Sequence, residues 1–325
     1  MYGSALRSED SRSEKPPHPA LRADLSPLGR GRGSGVPSSP LPGGERSEGV
    51  SPPGEGEPGL RRQRSEGAIV LRVEASRGVS RAVRVAESGT SRLRFPRGQH
   101  GLDGVMLNVA GGLACGDRMS VQAEVGPHAA LTLSTPGAER IYRSDGATTE
   151  IATRLAVEAG GALAWVPQET ILFDRARLAR RLDAEVAPDG RLLAWESLMF
   201  GRAARGETVQ EGDFEDRWRV RRGGRLIFAE TLRLNGQVRD LMAKRTVADG
   251  RACLATLLYV APDAEAKLDE VRQALENRDV EAGASAWNGL LVVRLLACLA
   301  ERLRDAARAV LPLLLGRPLP RVWSC

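Results

Sequence analysis

The chain has 325 residues, a formal net charge of +6 and only 4% aromatic residues. That length allows one or two domains, and a mild basic excess mixed with acidic residues and few aromatics lacks the basic stripe of a nucleic-acid-binding protein. Four cysteines without CxxC spacing, no leader-like apolar segment and no long uninterrupted apolar run argue against a disulfide framework and a membrane span, and predict a cytoplasmic protein with reduced thiols.

Residues 1–67 hold 10 of the 19 prolines and 12 of the 36 glycines, with Tyr2 as their one aromatic residue. Such a segment buries too little apolar surface to offset the entropy of ordering. A disordered tail is expected over 1–67 and one folded domain over 68–325. From Ile69 onward apolar residues alternate, as strands with one buried face require. Ile69, Leu71, Val73 and Ala75 share a face; so do Met119, Val121, Ala123 and Val125, and then Ile151, Thr153, Leu155 and Val157. "HAALTLST", "ALAWVPQ", "RLARRLDAEV" and "RLLAWESLMFG" read as further strands, divided by turns at Gly160-Gly161 and Pro188-Asp189-Gly190. "FEDRWRV" and "GRLIFAETLRL" flank Gly223-Gly224 and predict a hairpin. No alternation of strands and helices appears, so a doubly wound sheet is not expected. Helical spacing sets in at Ala264, Leu268, Val271 and Leu275, with Asp263 as N-cap. It returns at Leu299, Leu303, Ala306, Ala307 and Val310, where Pro312 weakens the last turn. The fold class is mainly β: a large β-rich body with a helical C-terminal part of about two helices over about 263–315.

Four segments could carry chemistry. In "LNVAGGLACGDR" the glycines permit a tight turn with Asp117 as its cap; no phosphate-loop pattern is present. "TPGAERIYRSDG" puts Arg140, Tyr142 and Arg143 at a strand end, where arginines clamp an anion or tie strands together. In "LAWVPQETILFD", Pro167 interrupts a strand, which suggests an edge or a bulge, and Gln168 and Glu169 follow in an apolar setting. In "LLAWESLMFGRAARGET" both faces are apolar, so the strand should be buried on both sides. Glu196 is then a core carboxylate that needs a partner; Arg202, near Glu207, is the natural choice. Glu230 has a similar setting. Such carboxylates fit three readings: structural ion pairs, a paired acid–base site, or oxygen ligands for a divalent ion in transit. Histidine is confined to His18, His100 and His128, with no metal-binding spacing, and no nucleophile elbow is present, so neither a tight metal site nor an ordinary hydrolase is expected.

Taken in order, "LNVAGGLACGDR", "GAERIYRS", "VPQETILFD", "FGRAARGET" and "LPRVW", with "GASAWNGLLVVRLLA" over 283–297, resemble the signature blocks of the UreD (UreH) urease accessory proteins. The likeness runs from about 69 to 324. The glycine block departs from the family's usual "LNTAGGLTGGD" at Val109, Ala114 and Cys115 but keeps Asp117. The resemblance implies a β-helix-like fold with two helices and no turnover of its own. It implies partners: the helical accessory protein UreF, the nickel-carrying GTPase UreG, and apo-urease, with UreF docking on the C-terminal helical part. It implies nickel passing through an internal tunnel, with no tightly bound cofactor. On this reading Asp117, Glu169, Glu196 and Glu207 are the transit carboxylates, and Arg140, Tyr142, Arg143, Gln168 and Arg202 support them. Two rival readings stay open: a carboxylate-pair enzyme acting on a small polar substrate through Glu169 and Glu196, and a plain interaction scaffold.

Overall fold

The computed structural model describes residues 64–97, 101–202 and 205–324. The expected tail, as far as residue 63, lies outside them, as do His18 and His100. The chain passes back and forth between two sheets. In the first lie β1 (Glu66–Ser76) and β2 (Val79–Gly89); in the second, β3 (Ser91–Arg94) and β4 (Asp103–Asn108). Then β5 (Arg118–Val125) joins the first, and β6 (Ala130–Ser134) with the short β7 (Glu139–Ile141) the second. The alternation continues with β8 (Thr149–Val157), then β9 (Ala162–Trp165) and β10 (Thr170–Leu172), then β11 (Arg177–Val186), then β12 (Arg191–Phe200). β13 (Gly212–Arg222) and β14 (Arg225–Gly236) close the first sheet. β15 (Cys253–Val260), β16 (Glu281–Trp287) and β17 (Leu290–Ala297) close the second.

Strands β1, β5, β8, β11 and β13 pair in parallel. So do β4, β6, β9 and β12. Parallel neighbours need a crossover, usually a helix; here a strand of the opposite sheet serves. Each coil therefore adds one strand to each sheet, which is a solenoid-like arrangement. Antiparallel hairpins finish the first sheet at both ends, β1 with β2 and β13 with β14. Their turns, Arg77-Gly78 and Gly223-Gly224, have positive φ at both positions, the geometry that matches strand twist in a two-residue hairpin.

The alternating residues fill the space between the sheets. Ile69, Leu71, Val73, Val121, Ala123, Val125, Leu155 and Val157 are buried in one cluster with Leu163, Leu192 and Ala194 of the facing sheet. Each buried Val, Leu or Ile among them contributes about 1.5–3 kcal/mol. The other face of the second sheet packs on helices. Leu193, Trp195, Leu257 and Val293 meet Leu303, Ala307, Val310 and Leu311 of α3 (Ala300–Leu315) and Val271 of α2 (Leu268–Leu275). α1 is the short helix Val238–Ala243. β12 is therefore buried on both faces, as its sequence predicts.

Some expectations change. Pro167 marks neither an edge nor a bulge: β9 lies between β6 and β12, and the proline ends it before β10 begins. The C-terminal part is not helical throughout 263–315, because the hairpin β16–β17 separates α2 from α3. Asn288 and Gly289, with φ of 50° and 73°, make that turn. Asp263 caps no helix; its carboxylate accepts hydrogen bonds from Arg191 and the Tyr259 hydroxyl. Leu299 precedes α3 and is exposed rather than packed. α3 runs through Pro312 to Leu315 and ends on Gly316 in the left-handed region.

Candidate functional site

Inward positions in a solenoid are apolar unless a polar group has a reason to be there. β11 points Leu178, Arg180, Leu182 and Ala184 inward; β13 points Phe214, Asp216, Trp218 and Val220. Arg180 and Asp216 are directly opposite in the parallel register. Across the gap, β12 points Glu196 inward between Ala194 and Leu198. The three side chains meet. Arg180 Nη1 pairs with Glu196 Oε2, and Arg180 Nη2 donates to Asp216 Oδ2 at 2.5 Å. Side-chain exposure is 6%, 5% and 10% for Arg180, Glu196 and Asp216. Trp165 Nε1 donates to Glu196 Oε1 at 2.9 Å, and Trp218 Nε1 to Asp216 Oδ2 at 3.3 Å. Breaking such a buried set by removing one partner typically costs about 3–5 kcal/mol.

Burial raises the Glu196 pKa, and the Arg180 charge offsets part of that rise. Burial works against the Arg180 charge, but Asp216 and Glu196 outweigh it and raise its pKa. A cavity of about 60 Å³ lies beside the set, bordered by Ser91, Asn108, Glu139, Gln168, Arg180 and Glu196 among apolar neighbours. Burial also raises the pKa of Glu139, against hydrogen bonds from Asn108 Nδ2 at 3.1 Å and its neighbour's backbone N–H. Ser91 Oγ, Arg180 Nε and Asp216 Oδ1 are buried without a hydrogen-bond partner. Polar atoms left so are expensive unless water or an ion reaches them.

The other expected residues are placed elsewhere. Asp117 is a turn staple: its two carboxylate oxygens accept the backbone N–H groups of Ser65 at 2.7 Å and Ala114 at 2.8 Å. Glu169 accepts from Arg304 of α3 at 2.6 Å. Next to it, Gln168 borders the cavity and donates to Val322 O at 3.3 Å. Trp323 is buried; its Nε1 donates to Val166 O at 3.1 Å, and Arg308 donates to its carbonyl. The "VPQET" and "LPRVW" blocks are thus one clasp.

Arg202 does not reach Glu196. It forks onto Glu207 at 2.5 and 3.1 Å and lies over the Phe173 ring at 4.3 Å. Hydrogen bonding from Arg202 lowers the Glu207 pKa. Arg140, Tyr142 and Arg202 line an open groove of about 410 Å³. The Tyr142 hydroxyl donates to Gly111 O at 3.0 Å. Arg143 forms an isolated bridge with Ala176. Glu230 pairs with Arg294. Of the four expected carboxylates, then, Glu196 alone borders the interior cavity, and Glu139 joins it there. Arg180, Asp216 and Glu139 were not singled out in the sequence. A charged residue in an inward position of an alternating strand was the available signal for Arg180 and Asp216.

Among the described residues, no group of three or more His, Cys, Asp or Glu side chains is placed to hold a metal ion. No helix there is long and apolar enough to cross a membrane. The described residues thus form a two-sheet solenoid with a helical flank and a charged interior.

Residues 65–324 match the family described as UreD urease accessory protein. The urease accessory protein UreD of Xanthobacter autotrophicus is 54% identical over 263 residues, covering 81% of this chain and 91% of that protein. Its counterpart in a Methylobacterium species is 54% identical over 271 residues, covering 81% and 96%. That of Rhodopseudomonas palustris is 47% identical over 261 residues, covering 80% and 93%. The chain belongs to the UreD family of urease accessory proteins. It serves urease maturation as an accessory protein and is not a catalytic enzyme.

Proposed function

We propose that this chain supports nickel insertion into apo-urease, in a complex with UreF-like and UreG-like partners, by letting nickel cross its interior. The observation that supports this reading is the cavity between the sheets, where Glu139 and Glu196 stand beside partnerless buried polar atoms. Transit requires sites strong enough to enter and weak enough to leave. Oxygen ligands without histidine or thiolate meet that need. In this proposal Glu196 and Glu139 form the inner station. Asp117, Glu169 and Glu207 are outer stations, available when their present partners release them. Nickel is cargo here, and no tightly bound cofactor is invoked. The UreF-like partner docks on the helical flank.

The test is urease activation in cells that express urease, the UreF-like and UreG-like proteins and a nickel supply, with and without this chain. Tagged chain is recovered from the same culture. Activity that requires the chain, with both partners co-purifying, is the expected result. Activity indifferent to the chain, with neither partner recovered, refutes the proposal.

A further inference from the structure

With both carboxylates ionised, the interior charges do not balance. Glu196 and Asp216 are two carboxylates, and Arg180 is the one cation paired with them. A guanidinium stays protonated in proteins, so Arg180 frees a carboxylate only by moving. Nη1 already has a second partner: besides pairing with Glu196 it donates to Thr170 Oγ1 at 3.4 Å, while Nη2 holds Asp216. Thr170 and Glu196 both border the cavity. On the Asp216 side, Oδ1 is buried and unpartnered, as is Arg180 Nε. The arrangement holds one carboxylate more than its cation balances, and a guanidinium that has Thr170 and Asp216 as further partners if it gives up Glu196.

On the reading that nickel crosses this interior, we propose that Arg180 is a resident counter-ion occupying the seat the metal takes. Its Nη1 gives up Glu196 and keeps Thr170 when a divalent cation arrives, and takes Glu196 back when the cation leaves. This keeps the station weak. With the guanidinium seated, Glu196 is engaged and no strong ligand set stands open. With it turned aside, Glu196 and the cavity's remaining oxygen atoms face the cation, and Arg180 stays near enough to expel it. Arg180 is a positioning residue here: it touches no cargo and sets how long cargo stays.

The test is equilibrium dialysis of the full chain against Ni²⁺ alone, with thermal melts to establish folding. Arg180→Met removes the competing charge, so nickel should bind at least tenfold more tightly than in the wild type. Adding Glu196→Gln to that variant should return affinity to the wild-type level or below. Asp216→Asn leaves a neutral Arg180–Glu196 pair, so binding should weaken at least threefold. A folded Arg180→Met with wild-type affinity overturns the proposal, as does tight binding that survives the added Glu196→Gln. If Arg180→Met does not fold, Asp216→Asn decides: unchanged affinity overturns the proposal. The same variants are scored for urease activation. If the wild-type chain is dispensable for activation while the affinity pattern holds, nickel insertion falls and the counter-ion role stands. If activation needs the chain but Arg180→Met binds nickel no more tightly, the counter-ion role falls alone.

Discussion

Glu169 and Arg304 are 135 residues apart in sequence and pair at 2.6 Å, joining the segment after β9 to α3. Glu169 is 14% exposed and Arg304 34%, so the pair lies between the surface and the core. The helix it secures covers the outer face of the second sheet.

Alanine at either position should therefore lower stability by about 1–2 kcal/mol, less than a fully buried pair would lose. The double variant should cost little more than the worse single one, because both remove one contact. Urea titration of the four proteins checks this. Strict additivity would show that the pair does not fasten the helix.

Trp323→Ala should cost about 3–5 kcal/mol, the usual range for a buried tryptophan. The side chain is 3% exposed and its Nε1 donates to Val166 O. Leu299→Ala, on an exposed residue just before α3, should cost under about 0.5 kcal/mol. Comparable losses at the two positions would refute the clasp.

Glu196→Gln tests the interior charge through pH. The folded-state pKa of Glu196 is raised, so the folded chain holds that proton more tightly than the unfolded chain. Ionisation then works against the fold as pH rises from the ordinary glutamate value through the elevated one. The variant has nothing to ionise there. Its melting temperature relative to wild type should rise by at least about 2 °C between pH 4.5 and the alkaline side of that window. A difference constant with pH would refute the burial effect. Glu207 has the opposite sign: Arg202 lowers its pKa, so its contribution is present above the ordinary glutamate value and lost as pH falls through the depressed one.

Gly111 and Gly112 separate backbone strain from crowding. Both have positive φ, 76° and 149°. A methyl group on Gly111 would meet nothing within 4 Å, whereas on Gly112 it would meet the Tyr142 ring and lie 2.9 Å from Arg140 O. Gly111→Ala should cost about 1–2 kcal/mol, the strain of a left-handed residue. Gly112→Ala should cost at least about 1 kcal/mol more. Equal losses by thermal melt would show that Tyr142 yields freely.

The period-two pattern made much of the β body legible: β1, β5, β8, β11 and β13 alternate, because one face of each is dry, while β12 was read from its two apolar faces. The β16–β17 hairpin was missed because "GLLVVRLLACLA" is a nearly continuous apolar run, whose periodicity alone assigns it to neither strand nor helix. The Asn288-Gly289 turn was its available marker. Doubly apolar β12 correctly implied a buried Glu196, yet its partner was sought nearby in sequence. Arg202 is six residues along the chain, but Arg180 reaches it across the solenoid from the preceding strand. Strand order decides that pairing, and local sequence does not encode it. Asp117 was read as a turn cap and as a transit ligand. The cap is visible in its bonds to Ser65 and Ala114, and passage is the part that needs the activation experiment.

The clasp between Trp323 and Val166 also bears on the order of events during synthesis. The chain is made from its N-terminus, and this contact cannot close until translation has reached residue 323. Until then the face of the second sheet that α3 later covers, with Trp195, Leu257 and Val293, lies open on the nascent chain. For that interval a partner translated alongside it would meet an apolar surface that the finished molecule keeps to itself.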